Sequence, residues 1–126
     1  MEKAKINSFR DLRVYQKAFE LSMEIFILTK TFPKEETYSL TDQIRRSSRS
    51  VCGQTAEAFR KRKYPKSFSA SLNGAEGEAS ESQNWILFAY ACNYINEETK
   101  TKIFQGYEEV IGMLVNMQKN SENWSF

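Results

Sequence analysis

The chain has 126 residues, 40% of them hydrophobic and 27% charged, with a formal net charge of +2 and no histidine. Such a chain forms one globular domain with a modest core, and the missing histidine excludes Ser–His and Cys–His nucleophile chemistry and the Glu-x-x-His di-iron motif of many helical bundles. Two cysteines, Cys52 and Cys92, cannot supply the four ligands of a structural zinc site, no apolar run reaches the ~18 residues of a membrane span, and the charged stretch Met1–Asn7 does not read as a signal peptide, so a cytoplasmic protein without cofactor or metal is expected.

The two prolines, Pro33 and Pro65, separate long periodic stretches, as residues that break the helical hydrogen-bond ladder should. A first helix is predicted over residues 8–31. Val14, Ala18, Leu21, Ile25, Leu28 and Phe32 form its seam at spacings of four and three, and Leu12, Tyr15, Phe19 and Phe26 widen it. Ser8 and Asp11 form a reduced capping box at its start.

A second helix is predicted over 38–63, marked by Leu40, Ile44, Val51, Thr55 and Ala58. Its interior is rich in small residues (Ser47, Ser48, Ser50, Cys52, Gly53, Ala56), which allow a neighbouring helix to come close. Gly53 costs about 1 kcal/mol relative to Ala, and close packing there is the expected compensation.

A third helix is predicted over 65–93, with Pro65 in its first turn and the seam Phe68, Leu72, Ala75, Ala79, Ser82, Ile86 and Ala89. The fourth is predicted over 97–119, N-capped by Asn96, with the seam Ile103, Tyr107, Val110, Leu114 and Met117. Asn120–Phe126 reads as a frayed polar tail carrying Trp124 and Phe126. Both cysteines fall inside predicted helices, as half-buried thiols. No β-branched alternation competes, so the expectation is an all-α, antiparallel, up-down-up-down four-helix bundle in a single domain.

Charge is the feature that points beyond the fold. Between residues 45 and 66 lie eight basic residues, Arg45, Arg46, Arg49, Arg60, Lys61, Arg62, Lys63 and Lys66, and one acid, Glu57. From residue 67 onward three basic residues face eight acidic ones. A local field of this kind is hidden by the net charge. On a straight helix, with Arg45 set at zero, Arg49 falls near 40°, Arg60 near 60°, Lys63 near 0° and Arg46 near 100°, while Ile44, Val51 and Ala58 fall roughly between −100° and −140°. The basic residues then form a stripe opposite the core face, provided that the helix runs unbroken through Gly53.

Arginine forks suit phosphate oxygens, so one reading is a nucleic-acid surface, salt-sensitive and largely indifferent to sequence. The other is a solvated or salt-bridged face paired with Glu76, Glu78 and Glu81, within a subunit or across an interface. Those three acids lack the spacing and the histidine of a metal or acid/base site, and Ser47, Ser48 and Ser50 lack an activating base, so no enzyme is expected. Trp85, Phe88, Tyr90 and Tyr94 could stack nucleobases or belong to the core or a subunit interface.

Four ordered motifs carry a family resemblance. They are Phe9-Arg10-Asp11-Leu12-Arg13-Val14-Tyr15-Gln16-Lys17-Ala18; Thr31-Phe32-Pro33-Lys34-Glu35-Glu36-Thr37-Tyr38-Ser39-Leu40; Gln43-Ile44-Arg45-Arg46-Ser47-Ser48-Arg49-Ser50-Val51 with Ala56-Glu57; and Ala75-Glu76-Gly77-Glu78 with Glu81. Together they resemble the four-helix bundle family of 23S rRNA intervening-sequence proteins, over roughly residues 8–115. Gln54 stands where that family commonly has Asn, and Ala58 where it commonly has Gly. The resemblance implies a bacterial homopentameric bundle. It is also similar to the accessory variability determinant of diversity-generating retroelements, a basic pentamer that binds nucleic acid and a reverse transcriptase. It therefore implies RNA or DNA, and a protein such as a reverse transcriptase, as partners. The alternative is a protein–protein adaptor whose arginines make inter-helix and inter-subunit salt bridges.

Overall fold

The structure is a computed structural model and describes residues 6–124. The expected capping box is present: the Asp11 carboxylate accepts from the backbone N–H groups of Asn7 and Ser8 at 2.9 and 3.0 Å, and Ser8 Oγ accepts from the Arg10 N–H at 3.2 Å. It closes only a single 3-10 turn, Phe9–Asp11. Leu12 is extended (ψ 128°) and turns its side chain into the core, so helix α1 begins later than predicted and spans Arg13–Thr29.

Helix α2 spans Leu40–Arg60, α3 spans Pro65–Ala91 and α4 spans Glu97–Lys119. Among the described residues there is no strand. Lys34–Glu36 form a 3-10 turn between α1 and α2, and Pro65 occupies the first turn of α3. Helix α4 has the predicted bounds, and Asn96 caps it through a 2.8 Å bond from the Thr99 N–H to Asn96 Oδ1. The turn before it is a Schellman motif: Tyr94 N–H donates to Ala89 O and Asn93 N–H to Tyr90 O, both at 2.9 Å, with Asn93 left-handed at φ 63°. This cap ends α3 before residue 93 and puts Cys92 on the surface just past the helix, whereas Cys52 is buried in α2.

Pairings between helices run in opposite sequence directions. Ser22 meets Ser48 while Thr29 meets Arg45, and Ser47 meets Ser82. Gln83 bonds to Phe104 O and Glu108, while Glu76 accepts from Gln118. Lys102 pairs with Glu24 at 2.9 Å, which joins α4 to α1 and closes the ring. The bundle is therefore antiparallel, each helix packing on its sequence neighbour and α1 on α4.

The predicted seams of α2, α3 and α4 are buried throughout. In α1 the seam residues Val14, Ala18, Leu21 and Ile25 are buried, but Phe19 from the second row is half exposed. Two interhelical serine pairs, Ser22–Ser48 at 3.1 Å and Ser47–Ser82 at 2.8 Å, lie inside the bundle and confirm the packing role of Ser47 and Ser48. The buried Tyr107 hydroxyl has no hydrogen-bond partner of good geometry among the described residues, although Ser82 and Ser48 are close enough to oppose part of the upward shift that burial imposes on its pKa. The tail differs from expectation: Ser121–Asn123 form a 3-10 turn and Trp124 packs against the core, while Phe126 lies outside the described residues.

The glycines correct one further expectation. A Cβ on Gly53 would meet nothing within 4 Å, so no helix approaches closely there. Close approach occurs instead at Gly74, which lies under the Gln54 side chain, and at Gly106, where a Cβ would stand 2.6 Å from Leu21 Cδ2. Gly53→Ala should therefore stabilise the protein by up to about 1 kcal/mol. Gly106→Ala should destabilise it, because overpacking a full core costs about 1 to 3 kcal/mol and outweighs the helix-propensity gain. Thermal melts of the two variants should move in opposite directions.

Candidate nucleic-acid interface

Helix α2 runs unbroken through Gly53, so the angular relation predicted for Arg45, Arg49 and Arg60 holds. It fails for Lys63, because α2 ends at Arg60 and not at residue 63. Lys61 N–H donates to Ala58 O and Tyr64 N–H to Lys61 O, both at 2.9 Å, and these two tight turns deliver the chain into Pro65. The eight predicted residues thus form two groups, some 20 Å apart at about 1.5 Å of helix rise per residue.

The first group, Arg45, Arg46 and Arg49, is engaged with the bundle. Arg45 Nε donates to the buried Thr29 Oγ1 at 2.8 Å, and its guanidinium lies 5.0 Å from the centroid of the Phe26 ring. Arg49 lies 5.9 Å and Lys30 4.8 Å from the same ring. Phe26, half-buried, is the partner that single-helix periodicity could not reveal. Arg46 forms a loose, exposed pair with Asp42 at 3.7 Å. It also lines a polar groove between α2 and α3 of about 300 Å³, together with Gln43, Ser47, Ser50, Glu78 and Glu81.

Burial, and then repulsion from Glu81, raise the Glu78 carboxyl above its ordinary pKa, while the nearby Arg46 acts in the opposite sense. None of the three α3 acids is within ion-pair distance of an α2 arginine among the described residues. Glu76 accepts from Gln118 at 3.0 Å and Glu81 from Trp85 Nε1 at 3.3 Å.

The second group gathers at the end of the bundle where α2 turns into α3. Arg60, Lys63 and Lys66 are exposed and have no acidic partner among the described residues. Lys61 pairs with Glu57 at 2.7 Å. Arg62 is held in place: its Nε donates to Phe59 O at 2.9 Å and its guanidinium lies 3.7 Å from the centroid of the Phe59 ring. Partial burial, reinforced by the charge of Arg60, lowers its pKa. Five cations and Glu57 lie at this turn, and the start of α1 and the end of α4 bring Arg10, Arg13 and Lys119, with Asp11 and Glu122, to the same end, so that cations outnumber acids there. The opposite end of the bundle mixes Lys34 and Lys100 with Glu35, Glu36, Glu97 and Glu98.

The aromatics considered for stacking sit at that opposite end. Tyr94 donates its hydroxyl to Glu36 Oε2 at 2.8 Å, tying the two turns there together, and this bond pushes its phenol pKa up to about 12. Trp85 packs beside Phe88, and Lys100 lies over Tyr90. They do not join the basic end. Burial likewise pushes the Cys52 thiol up to about 11, leaving it inert at neutral pH. Among the described residues no cluster of acids and cysteines could hold a metal ion, and no helix is long and apolar enough to cross a membrane.

These features define an antiparallel four-helix bundle held by small side chains, with one strongly basic end. Residues 10–116 match the sequence model of the 23S rRNA-intervening sequence proteins, and the chain belongs to that family. Its fold is similar to the crystal structure of a protein of unknown function from the S23 ribosomal protein family of Bacteroides thetaiotaomicron. The two are 27% identical with a TM-score of 0.77, over 85% of this chain and 96% of that one. No curated protein matches the chain.

The two arginine environments separate in stability measurements. Arg45→Ala removes a charged hydrogen bond and a cation–π contact and should cost about 1 to 2 kcal/mol. Arg60→Ala, on the open surface, should stay within about 0.5 kcal/mol of the parent. Urea unfolding of the two variants checks the contrast.

Proposed function

We propose that this protein is a non-enzymatic nucleic-acid-binding bundle that holds the phosphate backbone of RNA or DNA on its basic end. The observation that carries the reading is the cluster of Arg60, Lys61, Arg62, Lys63 and Lys66 at the α2–α3 turn, where Glu57 is the one acid in the sequence from residue 45 to residue 66. Arg49 extends the surface along α2, whereas Arg45 and Arg46 act mainly in packing and in the α2–α3 groove. Neutralising phosphates releases condensed counterions, so affinity falls with salt. Presentation of the bound strand to a protein such as a reverse transcriptase is part of the same proposal.

Anisotropy titrations with structured RNA, single-stranded DNA and duplex DNA test it. With three to five phosphate contacts, log affinity for duplex should fall with log salt at a slope between about −2.7 and −4.5. The triple variant Arg60→Glu, Lys63→Glu, Lys66→Glu should lose binding while its helical circular dichroism persists. Parent-like affinity in that variant would sink the assignment.

One observation supports self-association, the basis of the adaptor alternative. Phe19, Met23 and Ile27 recur every four residues on α1 and are 50%, 44% and 63% exposed, an apolar row on the outside of the bundle. We propose that the row is covered by another copy in a homo-oligomer, for which the family resemblance implies a pentamer. Met23→Glu with Ile27→Glu should reduce the mass seen by light scattering to that of a single chain. An unchanged mass would exclude this row as the contact.

A further inference from the structure

We propose that the basic end selects single-stranded nucleic acid, with the ring of Tyr64 as a platform on which a base stacks. The inference rests on the nucleic-acid reading above and adds the class of strand. Tyr64 is 57% exposed, and its only ring contact among the described residues is Lys63 Nζ, 5.4 Å from the centroid. The residues around it in the chain, from Arg60 to Lys66, are basic apart from Pro65.

An exposed aromatic among cations is what a single strand requires. Phosphates meet the ammonium and guanidinium groups, while an unpaired base offers its face to the ring. A duplex keeps its base faces stacked inside and could use only the cations. Other exposed rings lack this cluster of cations: Tyr38, 95% exposed, follows Glu35 and Glu36, Tyr90 has Lys100 over its ring but lies at the end of mixed charge, and Phe19 stacks on Tyr15.

The backbone that carries the ring is anchored on both sides. Tyr64 N–H donates to Lys61 O and Tyr64 O accepts from the Phe68 N–H, both at 2.9 Å, and Pro65 follows with its φ fixed by the ring. Tyr64 is also the N-cap residue of α3 and gives that helix no side-chain cap. The positive end of a 27-residue helix therefore adds to the field of the lysines at the same place.

The test is anisotropy with a fluorescein-labelled oligouridylate or oligothymidylate and with a DNA duplex, for the parent protein, Tyr64→Ala and Tyr64→Phe. Tyr64→Ala should weaken single-strand binding roughly five- to hundred-fold, the range for one base–aromatic stack, without changing the salt slope. Duplex binding should stay within about two-fold and Tyr64→Phe should bind like the parent, because stacking needs the ring and not the hydroxyl. If Tyr64→Ala binds single strands as the parent does, or loses duplex and single strand equally, the stacking platform is overturned while the phosphate-binding reading stands. If the parent binds neither probe at low salt, the phosphate-binding reading fails and this inference fails with it.

Discussion

The close contact between α2 and α3 is the constraint on which the rest of the molecule depends. It is made by small side chains: Ser47 hydrogen-bonds Ser82, Thr55 is fully buried, Ala75 and Ala79 are at zero exposure, and Gly74 lies beneath Gln54. Each serine pair adds only about 1 kcal/mol net, but losing one member strands a buried hydroxyl and costs about 1 to 3 kcal/mol. Such contacts fix the register of two helices more firmly than a greasy interface would. Helices this close can be joined by a very short connection. The four residues between Arg60 and Pro65 therefore reverse the chain in two tight turns, and their cations have nowhere to spread.

That crowding is the link between fold and function. Like charges at adjacent positions repel, and Arg60, Lys63 and Lys66 stand where no acid among the described residues pairs with them. Arg62 illustrates the local accommodation, resting on Phe59 and bonding to its carbonyl. A surface that repels itself becomes stable when a polyanion meets it, and a field confined to one end orients that polyanion before contact. The other end carries both signs and is tied together by the Tyr94–Glu36 bond, so it presents no comparable attraction.

Much of this was legible in the sequence, and the failures have physical causes. The seams of α2, α3 and α4, the Asn96 cap and the place of Pro65 follow from helical periodicity and backbone chemistry. The end of α2 was not legible, because Arg60-Lys61-Arg62-Lys63 contains good helix formers and no apolar mark. The helix stops there for a tertiary reason, the need to return along α3. The role of Arg45 was hidden because a single-helix projection cannot show a long side chain lying on Phe26 of a neighbour. Gly53 attracted attention by composition, yet the close approaches fall at Gly74 and Gly106, whose partners Gln54 and Leu21 are distant in sequence. The prominent Arg60–Lys66 charge run concealed Tyr64, the one aromatic in its midst.

The most direct test is a lysine-acetylation footprint of the intact protein with and without a single-stranded oligonucleotide, read by mass spectrometry. Lys61, Lys63 and Lys66 should be protected together, while Lys34, Lys100 and Lys102 at the opposite end react unchanged. Protection spread evenly over both ends, or confined to the opposite end, would contradict the assignment of the α2–α3 turn as the binding surface.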